Sequence, residues 1–207
     1  VTVSASFRAA GSAGDCPRDE RCPLSRFTDA DLSSWYHDGA HYCLEHGLMI
    51  GVSSTLFLPE GTTTRAQIAT LLWRLEGSPV VSCSMKFEDV DADSWYGEAV
   101  RWAASEGIVT GYGGNRFGPD DLITREQMAV MLYRYAQYKD YDVTAGADLS
   151  GYADADAVSG WALAGMQWAN AEGLVTGTSG TTLTPGGSAT RAQAAVMLMR
   201  FCENTAR

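Results

Sequence analysis

The chain has 207 residues, a formal net charge of −10, 45% apolar residues and 19% charged ones, a composition that buries a core and excludes a disordered polymer. The acidity excludes non-specific nucleic-acid binding, which needs a basic face to neutralise phosphates, and no run of eighteen apolar residues reads as a membrane-spanning helix. Residues 1–26 are rich in Ser, Ala and Gly and then charged, and read as a linker or N-terminal extension trailing an upstream effector region. The start at Val1, without Met, marks a fragment or mature piece. Cys16 and Cys22 flank Pro-Arg-Asp-Glu-Arg and read as a loop closed by a disulfide, because a lone C-x5-C does not supply four zinc ligands. Cys43, Cys83 and Cys202 read as buried thiols.

From residue 27 the chain repeats itself. Thr64-Arg-Ala-Gln67 returns as Thr124-Arg-Glu-Gln127 and Thr190-Arg-Ala-Gln193, and each copy opens an apolar-periodic run ending at an arginine, Arg74, Arg134 or Arg200. Trp35, Trp95 and Trp161 each stand sixteen residues before a glycine (Gly51, Gly111, Gly177) and twenty-four before a proline (Pro59, Pro119, Pro185). Each also stands thirty residues before the arginine of its motif (Arg65, Arg125, Arg191). The units are assigned to 27–86, 87–151 and 152–207, with a polar loop from Lys139 to Gly151 lengthening the second.

Each unit reads as two helices. The first spans about Ser34–His46, Ser94–Glu106 and Gly160–Glu172, followed by Gly47, Gly107 and Gly173, where a left-handed cap favours glycine. The second starts at the motif, with Ile68, Leu71, Leu72 and Leu75 forming an i, i+3, i+4, i+7 stripe that the other copies echo. Three helix–loop–helix units, each with one apolar stripe, predict a pseudo-threefold, all-α domain.

The motif is a capping box, Thr-x-x-Gln, and capping explains Thr and Gln but not Arg. A cation in a first helical turn opposes the macrodipole by about 0.3–1 kcal/mol, so an arginine repeated there implies a role. Two roles fit: an ion pair with Asp29, Asp89 or Asp154, or capture of a ligand carboxylate. The tryptophans read as mainly structural and partly exposed, with Tyr36 and Tyr96 beside them pointing outward. His37, His41 and Glu45 share a helix face that could ligate zinc, but no other repeat copies them and they read as a solvated face, with no metal site assigned. Asp89, Asp91 and Asp93 alternate as in a calcium loop, yet lack its glycine and glutamate, and read as turn and cap residues. No nucleophile motif or phosphate loop is present, so neither catalytic residues nor cofactors are assigned.

The run Asp89-Val-Asp-Ala-Asp-Ser-Trp-Tyr96, then Gly107-Ile-Val-Thr-Gly-Tyr112, Phe117-Gly-Pro119 and Ile123-Thr-Arg-Glu-Gln127 resembles an S-layer homology repeat. The resemblance covers residues 27 to about 202 in three tandem units. It implies a three-pronged spindle and noncovalent attachment to a bacterial cell-wall polysaccharide, often one whose terminal sugar carries a pyruvate ketal. It further implies inter-repeat grooves in which Arg65, Arg125 and Arg191 meet the carboxylate. Trp35, Trp95, Trp161, Asp29, Asp89, Asp154, Gly51, Gly111 and Gly177 complete the expected ligand-binding positions. The chain departs from the family pattern by Gln at the end of each motif and by Ser53-Ser54, Gly113-Gly114 and Ser179-Gly180 in place of Asp-Gly. It also has Ala162 in place of Tyr, which makes the third groove the weakest expected binder. These departures leave an alternative, a scaffold for surface-layer or host proteins.

Overall fold

The computed structural model describes residues 16–205, so the Ser-, Ala- and Gly-rich start of the expected linker lies outside the described residues. Six helices account for the architecture: α1 (His37–Glu45), α2 (Arg65–Leu75), α3 (Gly97–Ser105), α4 (Arg125–Tyr138), α5 (Leu163–Ala171) and α6 (Arg191–Asn204). Among the described residues there are isolated bridges but no strand, so the protein is all-α, with two helices per repeat.

The second helices begin where the capping box predicts. In each, the threonine hydroxyl accepts the amide N–H of the glutamine three residues on, and that glutamine's carbonyl oxygen accepts the threonine N–H. The first helices start about three residues later than expected. Ser34 Oγ and Ser94 Oγ donate to the carbonyls of Asp31 and Asp91 at 2.6 Å, which holds those residues in a turn ahead of the helix. Their C-termini close on Gly47, Gly107 and Gly173, all at φ between 66° and 73°. There the amides of Leu48, Ile108 and Leu174 reach back to Cys43, Ala103 and Ala169.

Packing crosses repeat boundaries. α2 packs on α3, α4 on α5, and α1 on α6, so each helix pair joins the second helix of one repeat to the first helix of the next, and the last pair closes a ring. Gly39 permits that closure: a Cβ there would sit 2.7 Å from the Val196 backbone. Gly165 does the same against Val130 on α4. Bridges Thr64↔Leu122, Thr124↔Ser188 and Thr62↔Thr190 bring the N-terminal ends of the second helices into one cluster. Apolar stripes from all six helices fill the core, anchored by the fully buried Trp102, Trp168, Phe57, Phe117 and Phe201.

Two segments read as loose are packed. Residues 23–26 form a 3-10 turn against α1, with Cys22 and Leu24 buried. The loop after α4 buries Leu149 and lays Tyr141 and Val143 against the core, and its Ala147 N–H donates to the Gln167 carbonyl.

Candidate functional site

The three motif arginines are buried, at 4%, 5% and 9% exposure. Each guanidinium reaches into the following repeat and bonds two backbone carbonyls there. Arg65 donates from Nε to Phe117 O at 2.8 Å and from Nη2 to Thr110 O at 3.0 Å. Arg125 reaches Leu183 O at 2.9 Å and Thr176 O at 2.7 Å in the same way. Arg191 closes the cycle on Phe57 O at 2.8 Å and Ile50 O at 2.7 Å. This arrangement is not the ion pair with Asp29, Asp89 or Asp154 that was one of the two expected roles: each guanidinium is held by two backbone carbonyls of the next repeat. The fork pairs with peptide oxygens, which need no charge of their own but whose burial demands a donor. Burial pulls all three guanidinium pKa values below the usual arginine range, yet arginine keeps its charge.

The expected acidic partners are engaged elsewhere. The Asp29 carboxylate accepts the N–H groups of Phe57 and Leu58, Asp89 those of Phe117 and Gly118, and Asp154 those of Leu183 and Thr184, at 2.7–2.9 Å. Among the described residues no ion pair joins these carboxylates to the motif arginines. Their work is local: each clamps two consecutive amides where the chain takes a positive φ, at Leu58 (60°), Gly118 (71°) and Thr184 (54°). That clamp presents the Phe57, Phe117 or Leu183 carbonyl to the incoming arginine.

Around each arginine lies a cavity assembled from all three repeats. The largest, about 440 Å³, is lined by Arg65 from the first repeat, Trp161 from the third, and Thr110, Gly111, Tyr112, Gln127 and Arg134 from the second. A second, about 340 Å³, joins Trp35 and Arg125 to Thr176, Gly177, Gln193 and Arg200. The third, about 230 Å³, joins Trp95 and Arg191 to Ile50, Gly51, Gln67 and Arg74. Every cavity thus holds one tryptophan, two arginines and one motif glutamine, and none has an acidic residue in its lining.

The tryptophans are 63%, 64% and 58% exposed, which corrects the expectation that they are mainly structural. Tyr36 and Tyr96 do not point outward: Tyr36 is buried with its hydroxyl accepting the Asp31 N–H, and Tyr96 is half-buried, each edge-on to its tryptophan. Neither lines any of these three cavities, and Ala162, buried at the equivalent position of the third repeat, does not line the Trp161 cavity either. The glycines line the cavities and also have a steric reason to be there. A Cβ at Gly111 would lie 2.3 Å from the Arg116 carbonyl oxygen, and one at Gly177 would lie 2.2 Å from that of Ser179.

Sequence reasoning passed over Arg74, Arg134 and Arg200, noted only as the ends of apolar runs. Their recurrence at one position was the available signal. Arg134 donates to Thr110 Oγ1 at 3.1 Å, Arg200 to the Gly173 carbonyl at 3.2 Å, and Arg74 to the Leu48 carbonyl at 3.1 Å. Arg65 is further dressed by the Tyr112 ring, 4.5 Å away, and the Phe117 ring, 4.7 Å away.

Other readings change as well. His37 is fully buried and His41 largely so, which overturns the solvated face, while Cys16 and Cys22 are free thiols and not a disulfide. Cys43 is buried as expected, Cys202 is half-buried, and Cys83 is exposed. Asp91 caps its own turn, its carboxylate accepting the Asp93 N–H at 3.0 Å.

The S-layer homology domain model matches residues 26–69, 86–129 and 151–195. An amylopullulanase of Thermoanaerobacterium thermosulfurigenes is 30% identical over 83% of this chain, and a surface-layer 125 kDa protein of Lysinibacillus sphaericus is 30% identical over 84%. A cellulosome-anchoring protein of Acetivibrio thermocellus is 27% identical over 74%. This chain spans only 9%, 14% and 35% of those three relatives. The chain belongs to the S-layer homology family, with three tandem repeats.

Proposed function

We propose that this three-repeat S-layer homology chain is a noncovalent cell-wall anchoring module that binds an anionic wall polysaccharide in its inter-repeat cavities. It acts outside the cell, at the wall surface, and tethers a larger protein without catalysing a reaction. The observation that carries this reading is the threefold recurrence of an exposed tryptophan beside two arginines, with no carboxylate in the lining, in a chain of net charge −10. An indole face covers the apolar face of a sugar ring, and two cations select a sugar bearing a carboxylate, as a pyruvate ketal does. The cavity volumes suit one or two sugar units at a chain end. The names of the surface-layer and cellulosome-anchoring relatives agree with a surface role, and the small share of each relative that is matched agrees with a module fused to an effector.

The exposed tryptophans are divided among three cavities and do not gather on one flat face, which favours glycan over a protein-scaffold surface. The test is co-sedimentation with purified wall polysaccharide, native or with its ketals removed by mild acid. The Trp35→Ala/Trp95→Ala/Trp161→Ala variant should fold, because these side chains lie mostly in solvent, and should lose binding at least tenfold. Ketal removal should weaken the wild-type chain comparably. Full binding by the triple variant would remove the cavities from the mechanism, and indifference to ketal removal would remove the carboxylate.

A further inference from the structure

Outside the cavities, four side chains from two distant stretches converge beside α1. The Cys16 and Cys22 sulfurs and one imidazole nitrogen each from His37 and His41 all lie within 4.8 Å of one another. Cys22 Sγ is 3.4 Å from His37 Nε2 and 3.4 Å from His41 Nδ1. Zn–S bonds of ~2.3 Å and Zn–N bonds of ~2.0–2.1 Å require tetrahedral edges of roughly 3.3–3.8 Å, so small side-chain movements complete the geometry. We propose that Cys16, Cys22, His37 and His41 form a structural zinc site.

Three further observations support it. His37 is oriented by a carboxylate, its Nδ1 lying 2.7 Å from Asp38 Oδ1, and Glu45 Oε2 stands 3.6 Å from His41 Nε2 on the side away from the sulfurs. An Nδ1–H donated to Asp38 leaves His37 Nε2, the nitrogen facing Cys22, with the lone pair a metal needs, the arrangement that carboxylates impose on metal-bound imidazoles. Arg18 holds Asp38 in turn, at 3.1 Å. Second, the positions equivalent to His37 and His41 are Gly97 and Arg101 in the second repeat and Leu163 and Gln167 in the third, so the helix itself does not require histidine there. The two histidines occur only in the repeat that the cysteine segment reaches. Third, the site is closed: His37 and Cys22 are buried and the other two ligands partly so, which leaves four protein ligands and no open position for catalysis.

On binding, Zn²⁺ takes two thiolates and two neutral imidazoles, and the two thiol protons pass to solvent. The resulting centre is electrically neutral, as burial favours. It would pin the segment ahead of the first repeat onto α1, whose packing on α6 closes the ring.

The experiment uses the full chain, purified without chelator. Elemental analysis should find one zinc per chain, and Co²⁺ exchange should produce thiolate-to-cobalt charge-transfer and tetrahedral ligand-field bands. Chelation should lower Tm by roughly 5–10 °C. Cys16→Ser and Cys22→Ser should each abolish the cobalt charge-transfer spectrum or change it, whereas Cys83→Ser should leave it intact. Should Cys22→Ser fail to fold, the spectrum of the unmutated chain and that of Cys16→Ser still decide. Absence of metal and of cobalt bands in a chain with reduced Cys16 and Cys22 overturns the site, as does a Cys16–Cys22 disulfide in peptide maps of the natively exported protein.

Discussion

At the scale of single residues, the arginines of each cavity divide into two kinds. Arg65, Arg125 and Arg191 satisfy buried carbonyls of the next repeat, and removing one strands two acceptors in the protein interior. Arg125→Ala should therefore cost about 3 kcal/mol or more in urea unfolding, and Arg125→Lys should not restore it, because an ammonium cannot match the fork. Arg200 sits half-buried at the cavity wall, with contacts to Gly173 and Thr176. Arg200→Ala should cost about 1 kcal/mol or less and weaken polysaccharide binding instead. A stability loss in Arg200→Ala as large as that in Arg125→Ala would refute this division. Asp154 titrates with the fold. The amide of Leu183, then that of Thr184 and the nearby Arg125, hold Asp154 below the usual carboxylate pKa. A depressed folded pKa means that the unfolded chain binds the proton first. The stabilisation is complete above the ordinary value of about 4 and drains away as pH falls through the lower folded value. Asp154→Asn should lower Tm at pH 7 and shallow its decline as pH falls below about 4, measured by thermal scans. An unchanged acid limb would show that the clamp is not linked to folding.

At the scale of elements, the capping boxes and Schellman-type ends were legible because they depend on neighbours within four residues. The three-residue error at the start of α1 and α3 came from Ser34 and Ser94, whose hydroxyls serve a preceding turn as readily as a helix cap. Gly39 exemplifies what an isolated element conceals. On a lone helix Gly39→Ala would stabilise by about 1 kcal/mol. On α1 the new methyl would meet the Val196 backbone at 2.7 Å, and overpacking of this kind costs about 1–3 kcal/mol. Net destabilisation in a denaturant titration is expected, and a net gain would mean that α1 and α6 separate freely.

At the scale of the molecule, the helix pairs bridge repeats and α6 returns to α1, so no repeat holds a complete core or a complete cavity. A chain ending at Gly187 lacks α6 and Arg191, and it leaves the buried face of α1 and the Phe57 and Ile50 carbonyls without partners. Such a chain should lose its single cooperative thermal transition, followed by circular dichroism, and retention of that transition would show that the first two repeats fold alone. The Trp161 cavity takes its arginines from the other two repeats, so it is a property of the whole ring and not of the third repeat.

The sequence by itself determined the repeat, the six helices, their caps and the family, because periodicity and capping are properties of adjacent residues. It also marked an arginine that local structure could not explain. Only the tertiary structure decided what that arginine does, because its partners are peptide carbonyls about fifty or more residues away along the chain, and a carbonyl leaves no trace in residue identity. The same holds for the exposed faces of Trp35, Trp95 and Trp161 and for the meeting of Cys16 and Cys22 with His37 and His41. Each depends on which segment folds against which, and distance in space is the one quantity that spacing along the chain does not carry.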